Sequence, residues 1–260
     1  MTAARSLLSL VALLAAAGSV RAQDLKALAD EFTAQKIVPD VLASFEPTLA
    51  VELTFDHDGF KIPIVPGVLL TINQTAAEPQ IALRTSTNVE GTGYLVAMVD
   101  PDAPTPADRS VSQVRHFLAA NYVAGPAQDG VHVLTSSTAP VGKYAGPGPA
   151  APSDPHRYTF VVYEQPRAAI QAPTGENNAP FLRFNLGEYI AKVDGLKLVG
   201  ATFFLVGPPG TVPTNTTAPP PTDTTTTGGA STPTETGGNG AATLKVGAAV
   251  VGAALLAFVL

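Results

Sequence analysis

Residues 50–55 alternate apolar and polar, the period of a half-buried strand. Residues 67–72 and 80–84 are shorter stretches of the same kind. Four runs that are almost wholly apolar follow, at 94–99, 117–122, 158–163 and 198–206. Runs rich in β-branched and aromatic residues and bounded by Gly and Pro read as buried strands. Helical spacing occurs twice. Leu25, Leu28, Ala29 and Phe32 share one face of 24–36, with Asp24 as N-cap, and 186–193 suits a short helix. Strands outnumber helices, which predicts a mainly β domain of two packed sheets with peripheral helices.

The two ends follow other patterns. Residues 1–22 predict a signal peptide: Arg5 supplies the positive start, 7–17 form an apolar core, and Val20-Arg21-Ala22 puts small residues before a cleavage site. The mature chain is then expected to begin at Gln23. At the other end, 246–260 are apolar without interruption and follow the small residues of 236–242. That order reads as a GPI-attachment signal, with Asn239 as anchor and 241–260 as the removed propeptide. A transmembrane helix is the competing reading, but the tail falls short of about 18 residues and no basic cluster follows it. Residues 208–240 are dominated by Pro, Thr and Gly and predict a disordered, O-glycosylated stalk. Asn73 and Asn215 each head an N-glycosylation sequon.

The domain is therefore expected over 23–207, about 185 residues, an ordinary single-domain length. The chain has no cysteine, so its stability cannot draw on disulfides. A net charge of −6 with few basic clusters argues against nucleic acid.

Candidate chemistry gathers where apolar runs meet turns. The strand at 94–99 runs into Asp100-Pro101-Asp102-Ala103-Pro104. Proline ends the strand and leaves Asp100 at the lip of a sheet, as a turn-former or as part of a pocket. His116 heads the next strand, and His156 precedes another. Residues two apart in a strand face one side, so His156 and Tyr158 point together and Arg157 points away. Gly146 and Gly148 lack side chains, so their loop can bring backbone N–H groups to a ligand. Two histidines, a tyrosine hydroxyl and such N–H groups make a cradle for phosphate or carboxylate. Asp100 is expected to fix one histidine's tautomer and raise its pKa, or to meet an ammonium. Asp102 and Arg157 are expected to pair internally and, with Pro104, to shape the loop. His57 and His132 are expected to lie in polar loops and to be solvated.

Two histidines and an aspartate also suit a metal triad or an acid–base set. No further ligand and no paired glutamates stand beside them, and no Ser or Cys sits in a recognisable nucleophile setting. No catalytic residue, metal site or cofactor is assigned.

An apolar strand ending in DPDAP, then His116-Phe117 in an apolar strand, then Tyr144-x-Gly-Pro-x-Pro149, then Pro155-His156-Arg157-Tyr158, resembles the phosphatidylethanolamine-binding protein family. The resemblance runs in order over roughly residues 51–206. It implies a large central antiparallel sheet packed on a smaller one, with helices at the edges. It also implies a ligand pocket at Asp100, His116, Gly148, Pro149, His156 and Tyr158. The chain departs from the family in Val114-Arg115, where an aromatic residue or second histidine is usual. This removes an apolar wall or adds a cation at the rim. The resemblance implies a non-catalytic, monomeric binding protein for a small anionic ligand, phospholipid head groups among them. Its alternative is a protein-directed regulator, such as an inhibitor of a carboxypeptidase-type peptidase. Leader, stalk and tail together look like a fungal cell-surface protein, secreted and GPI-anchored to plasma membrane or cell wall.

Overall fold

The structure is a computed structural model that describes residues 22–166, 182–212 and 214–217. Residues 1–21 of the predicted signal peptide, Asn239 and the predicted propeptide lie outside the described residues, and Ala22 opens the first helix. Helices α1 (Ala22–Ala34) and α2 (Ile37–Asp40) lead into β1 (Ala50–His57), β2 (Phe60–Pro63) and β3 (Val68–Leu70). A single 3₁₀ turn, Asn73–Thr75, precedes β4 (Gln80–Arg84), β5 (Gly93–Asp100), β6 (Val114–Ala124), β7 (Val131–Thr135) and β8 (His156–Glu164). Helix α3 (Leu186–Ile190), β9 (Lys197–Val206) and β10 (Thr214–Thr217) complete the described fold.

The strands pair in the order β10-β3-β9-β8-β5-β6-β7-β4-β1-β2, antiparallel throughout except for β3 beside β9. Strand β7 pairs with both β6 and β4, and there the sheet folds over on itself. The chain entering β1 is bonded to β9, with the Thr48 and Leu49 N–H groups donating to the Val199 carbonyl at 2.9 and 3.2 Å. Gly200 permits that approach, because a Cβ there would stand 2.8 Å from the Leu49 carbonyl oxygen.

Two apolar layers result. Val51, Leu53 and Phe55 of β1 face Val96, Met98, Phe160 and Phe204 of the larger half. On that half's other face, Leu95, Ala97, Val161 and Phe203 are covered by Phe32, Ile37, Phe45, Leu186 and Tyr189. Phe32 stacks on Phe45 at 4.2 Å and meets Phe203 edge-on at 5.4 Å. Residues 94–99 are fully buried because β5 lies under both layers, which is why this run is apolar throughout while β1 alternates. The mainly β class and the two-sheet architecture with peripheral helices are as the sequence predicts.

Several elements differ in detail. Strand β6 starts at Val114, so His116 is its third residue and does not head it. Helix α1 begins at Ala22 and places Asp24 in its first turn, not at the cap. Helix α3 ends at Ile190, and its cap is Asn185, whose side chain accepts from the Glu188 N–H at 3.0 Å. Strands β2 and β7 carry no clear apolar run: β2 is an exposed edge, and β7 pairs only over short segments. Strand β10 extends the sheet beyond Gly207, where the stalk is predicted to begin, and contains Asn215. His132 is not solvated. It lies on β7 at 1% exposure with Nδ1 2.8 Å from the Gly125 carbonyl oxygen. His57 ends β1 and is half-exposed.

An ionic knot holds the N-terminal segment to the sheet. The Arg157 guanidinium grips Asp102 with two bonds, Nε to Oδ2 at 2.8 Å and Nη2 to Oδ1 at 2.6 Å. The Arg157 backbone N–H also donates to Asp102 at 2.9 Å. Nη1 donates to the Gln35 carbonyl at 2.6 Å, and Nη2 to Asp40 at 2.8 Å. Arg109 reaches the same Asp40 oxygen at 2.8 Å. Burial works against the Arg157 charge, but the Asp102 and Asp40 carboxylates outweigh it and keep its pKa above the ordinary arginine value. The Asp102–Arg157 pair is thus the internal pair expected from the sequence. Arg157→Met is expected to cost about 3 kcal/mol in chemical denaturation, because it leaves buried Asp102 with only the Arg109 Nε, 3.3 Å away, as a cationic partner. A loss below about 1 kcal/mol would show that the knot is dispensable.

Candidate functional site

Strand β5 lies between β6 and β8, so its last residue, Asp100, is flanked by both. On β5, Val96 and Met98 face the inter-sheet core, and Asp100 continues that face. On β8, Tyr158 and Phe160 share the face, and His156 lies two residues before Tyr158. The pleat alone therefore brings Asp100 and His156 together. His156 Nδ1 is 2.8 Å from Asp100 Oδ2.

His116 reaches the same place by a different device. Met98 pairs with Phe117 but Val99 pairs with Arg115, so β6 carries one extra residue there, His116. A bulge of this kind re-aims side chains. Without it, His116 would share the helix-covered face of Leu118 and Ala120. With it, Arg115 takes that face instead. Arg115 is 1% exposed, its guanidinium lies against Gly142, and its Cζ stands 5.8 Å from the Phe184 ring centre. The departure at Val114-Arg115 thus adds no cation at the rim.

Within the site, His116 Nε2 is 3.9 Å from Asp100 Oδ2. His116 Nδ1 is 2.8 Å from the Ala145 carbonyl oxygen. A carbonyl can only accept, so Nδ1 carries the proton and Nε2 of the neutral ring bears the lone pair. Burial pushes the His116 pKa down, and this outweighs the pull of Asp100 upward. Asp100 does pull the His116 pKa upward, in the expected direction, but desolvation at this depth leaves it below the ordinary value. Tyr158 stands edge-on to His116 at 5.1 Å and stacks with His156 at 6.3 Å. Burial, and next the Asp100 charge, push the Tyr158 pKa well above its ordinary value, and its hydroxyl also meets the Gly148 backbone N–H. Asp100 Oδ1 accepts from the Asp102 N–H at 2.7 Å. Both Asp100 oxygens are therefore occupied by the protein, and the residue is 3% exposed. This leaves no room for the ammonium contact that the sequence suggested.

The loop after Tyr144 closes one side. Tyr144 Oη donates to the Thr75 carbonyl at 2.7 Å, and a Cβ on Gly146 would meet that same oxygen at 3.1 Å. Gly146 is thus a packing glycine. Gly148 is exposed, and a Cβ there would meet no atom within 4 Å, so the space beside it is open. Pro149 is buried under the loop, and Pro104 is exposed. Ser153, which the sequence gave no reason to single out, puts Oγ 3.0 Å from His156 Nε2. Its loop position, three residues before the histidine, carries no periodic signal. A cleft of about 580 Å³ is lined by His57, Thr71, Asn73, Gln74, Pro208 and Thr211, apart from the Asp100 cluster.

A folded-over β sheet with a histidine pair gathered on one strand-end carboxylate defines a compact β domain of binding-protein type. Residues 56–203 match the phosphatidylethanolamine-binding protein family, and the chain belongs to that family. It is 32% identical over 146 residues to a 26 kDa secreted antigen of Toxocara canis, covering 56% of this chain and 50% of the antigen. It is 24% identical over 208 residues to the carboxypeptidase Y inhibitor of Saccharomyces cerevisiae, covering 67% of this chain and 92% of the inhibitor. Among solved structures, the carboxypeptidase Y inhibitor complexed with its cognate proteinase matches with TM-score 0.60 and 20% identity over 71% of this chain and 96% of that one. The phosphatidylethanolamine-binding protein of Plasmodium vivax matches with TM-score 0.51 and 19% identity over 69% and 96%. These two likenesses are likenesses of fold.

The lowered His116 pKa has a consequence for stability. Below its unfolded value of 6.5, the unfolded chain binds the proton more readily than the native chain does. Stability is therefore expected to fall as pH drops from 6.5 towards the lower native pKa, and the loss should be reduced in His116→Gln. Denaturation curves at several pH values would measure it. Equal slopes for the two proteins would contradict the assignment.

Proposed function

We propose that the chain is a non-catalytic binding protein whose Asp100 cluster takes phosphate- or carboxylate-bearing ligands, phospholipid head groups among them. One observation carries the reading: imidazoles from two different strands converge on a single buried carboxylate beside the open space at Gly148. His156 has both ring nitrogens engaged, and the Tyr158 hydroxyl faces Asp100 and the Gly148 amide. His116 Nε2 makes no hydrogen bond among the described residues and is the free position. An anion docked there stabilises a proton on Nε2, and the resulting charge-assisted bond is the main attraction. Ligand binding is then coupled to proton uptake, with Asp100 keeping the pair of rings in place. Pro149, buried beneath the loop, fixes its path, and Gly148 leaves room for the ligand's oxygens.

A second reading is a protein-directed regulator, such as a peptidase inhibitor. It is favoured by the likeness to the carboxypeptidase Y inhibitor over 92% of that protein. Helix α1 and the loop edges would then be the contact surface, and the cluster would be secondary. In either reading the domain would be a secreted monomer. The chain from the end of β10 to residue 240 would form its stalk, with glycans on Asn73 and Asn215 and a GPI anchor on Asn239.

Calorimetric titration of the full chain with inorganic phosphate and with phosphoethanolamine tests the first reading. Affinity is expected to rise as pH falls from about 8 to about 6, and His116→Ala is expected to weaken binding about 10-fold or more. Absence of binding at pH 6, or binding unaffected by His116→Ala, would contradict it. Inhibition of carboxypeptidase Y that survives His116→Ala would favour the second reading.

A further inference from the structure

Ser153 extends the Asp100–His156 pair into a connected line, and anion binding does not need the serine. The Asp100 carboxylate meets His156 Nδ1 at 2.8 Å, and His156 Nε2 meets Ser153 Oγ at 3.0 Å. The carboxylate and the imidazole are 3% exposed each, whereas Ser153 is half-buried on the loop that precedes β8. This is the order a base-activated hydroxyl requires: a buried acid that fixes the Nδ1–H tautomer, an imidazole with its lone pair on Nε2, and an accessible hydroxyl against that lone pair.

We propose that Ser153 is a nucleophile towards activated carboxylic and phosphonic esters and halides. The Ser153 hydroxyl proton has two acceptors, the Asp154 carbonyl oxygen at 2.8 Å and His156 Nε2 at 3.0 Å. Turning it from the first to the second needs only rotation about the Cβ–Oγ bond. In the step itself, Oγ bonds to the electrophilic carbon or phosphorus, and its proton passes to His156 Nε2. The bond to the leaving group breaks, and that group departs with the bonding electron pair. Asp100 stabilises the imidazolium, whose proton then passes to the leaving group or to water.

The neighbouring geometry fits an approach from solvent. The space beside exposed Gly148 is open, and Tyr158 stacks on the imidazole from the protein side.

An aryl or alkyl fluorophosphonate is the probe, because so strong an electrophile reports a nucleophile without dedicated oxyanion donors. The full chain is incubated with the probe and read by intact mass and peptide mapping. The expected result is one adduct, on Ser153, with fluoride released. Ser153→Ala should lose it, and exposed Ser86→Ala should leave it unchanged. His156→Gln should slow labelling about 100-fold or more, the share a positioned general base contributes. His156→Asn provides a second base deletion should His156→Gln fold poorly. No adduct on Ser153, or labelling that survives loss of the histidine, would overturn the proposal. Neither outcome bears on phosphate binding through His116, which is measured separately.

Discussion

The hydrogen bond between Asp100 and His156 is the contact on which the site depends. Asp100 ends the strand that lies under both apolar layers, so the carboxylate cannot leave its place without disturbing β5. A buried carboxylate must be hydrogen-bonded to be tolerated. Asp100 meets that demand with the His156 ring and the Asp102 amide, and the Tyr158 hydroxyl faces it. Each partner is thereby oriented in turn. Two residues further on, Asp102 makes the equivalent arrangement with Arg157 on the opposite side of β8 and ties down the segment after α1. One short acidic turn thus supplies a polar anchor to each face of the sheet.

The two anchors differ in character. The Asp102 knot joins permanently charged groups in forked geometry and is structural. The Asp100 cluster joins groups that can exchange protons, and one of its nitrogens, His116 Nε2, makes no hydrogen bond among the described residues and stands 3.9 Å from Asp100 Oδ2. In the proposed function, that nitrogen and the open space at Gly148 suit a small ligand better than a long chain.

Much of this is legible in the sequence. The apolar runs mark the buried strands, and the DPDAP turn marks the strand end. The two-residue period puts His156 with Tyr158 and turns Arg157 away. The rest is hidden for specific reasons. His116 faces Asp100 only because of an extra residue in β6, and a bulge leaves no mark on the apolar pattern. The same bulge buries Arg115 under Phe184, where a strict two-residue period would turn it the other way. His132 sits in a short strand whose burial comes from neighbours far along the chain. Ser153 approaches His156 through a loop that no periodicity describes.

The central claim concerns which nitrogen of each imidazole bears a proton, and long-range ¹H–¹⁵N correlation spectra of the histidine rings measure that directly. At pH 7.5 in the full chain, His116 is predicted to be neutral and protonated on Nδ1, with a bare Nε2, and His156 to carry a proton on Nδ1. A His116 ring protonated on Nε2 instead, or a His156 Nδ1 without a proton, would contradict the account.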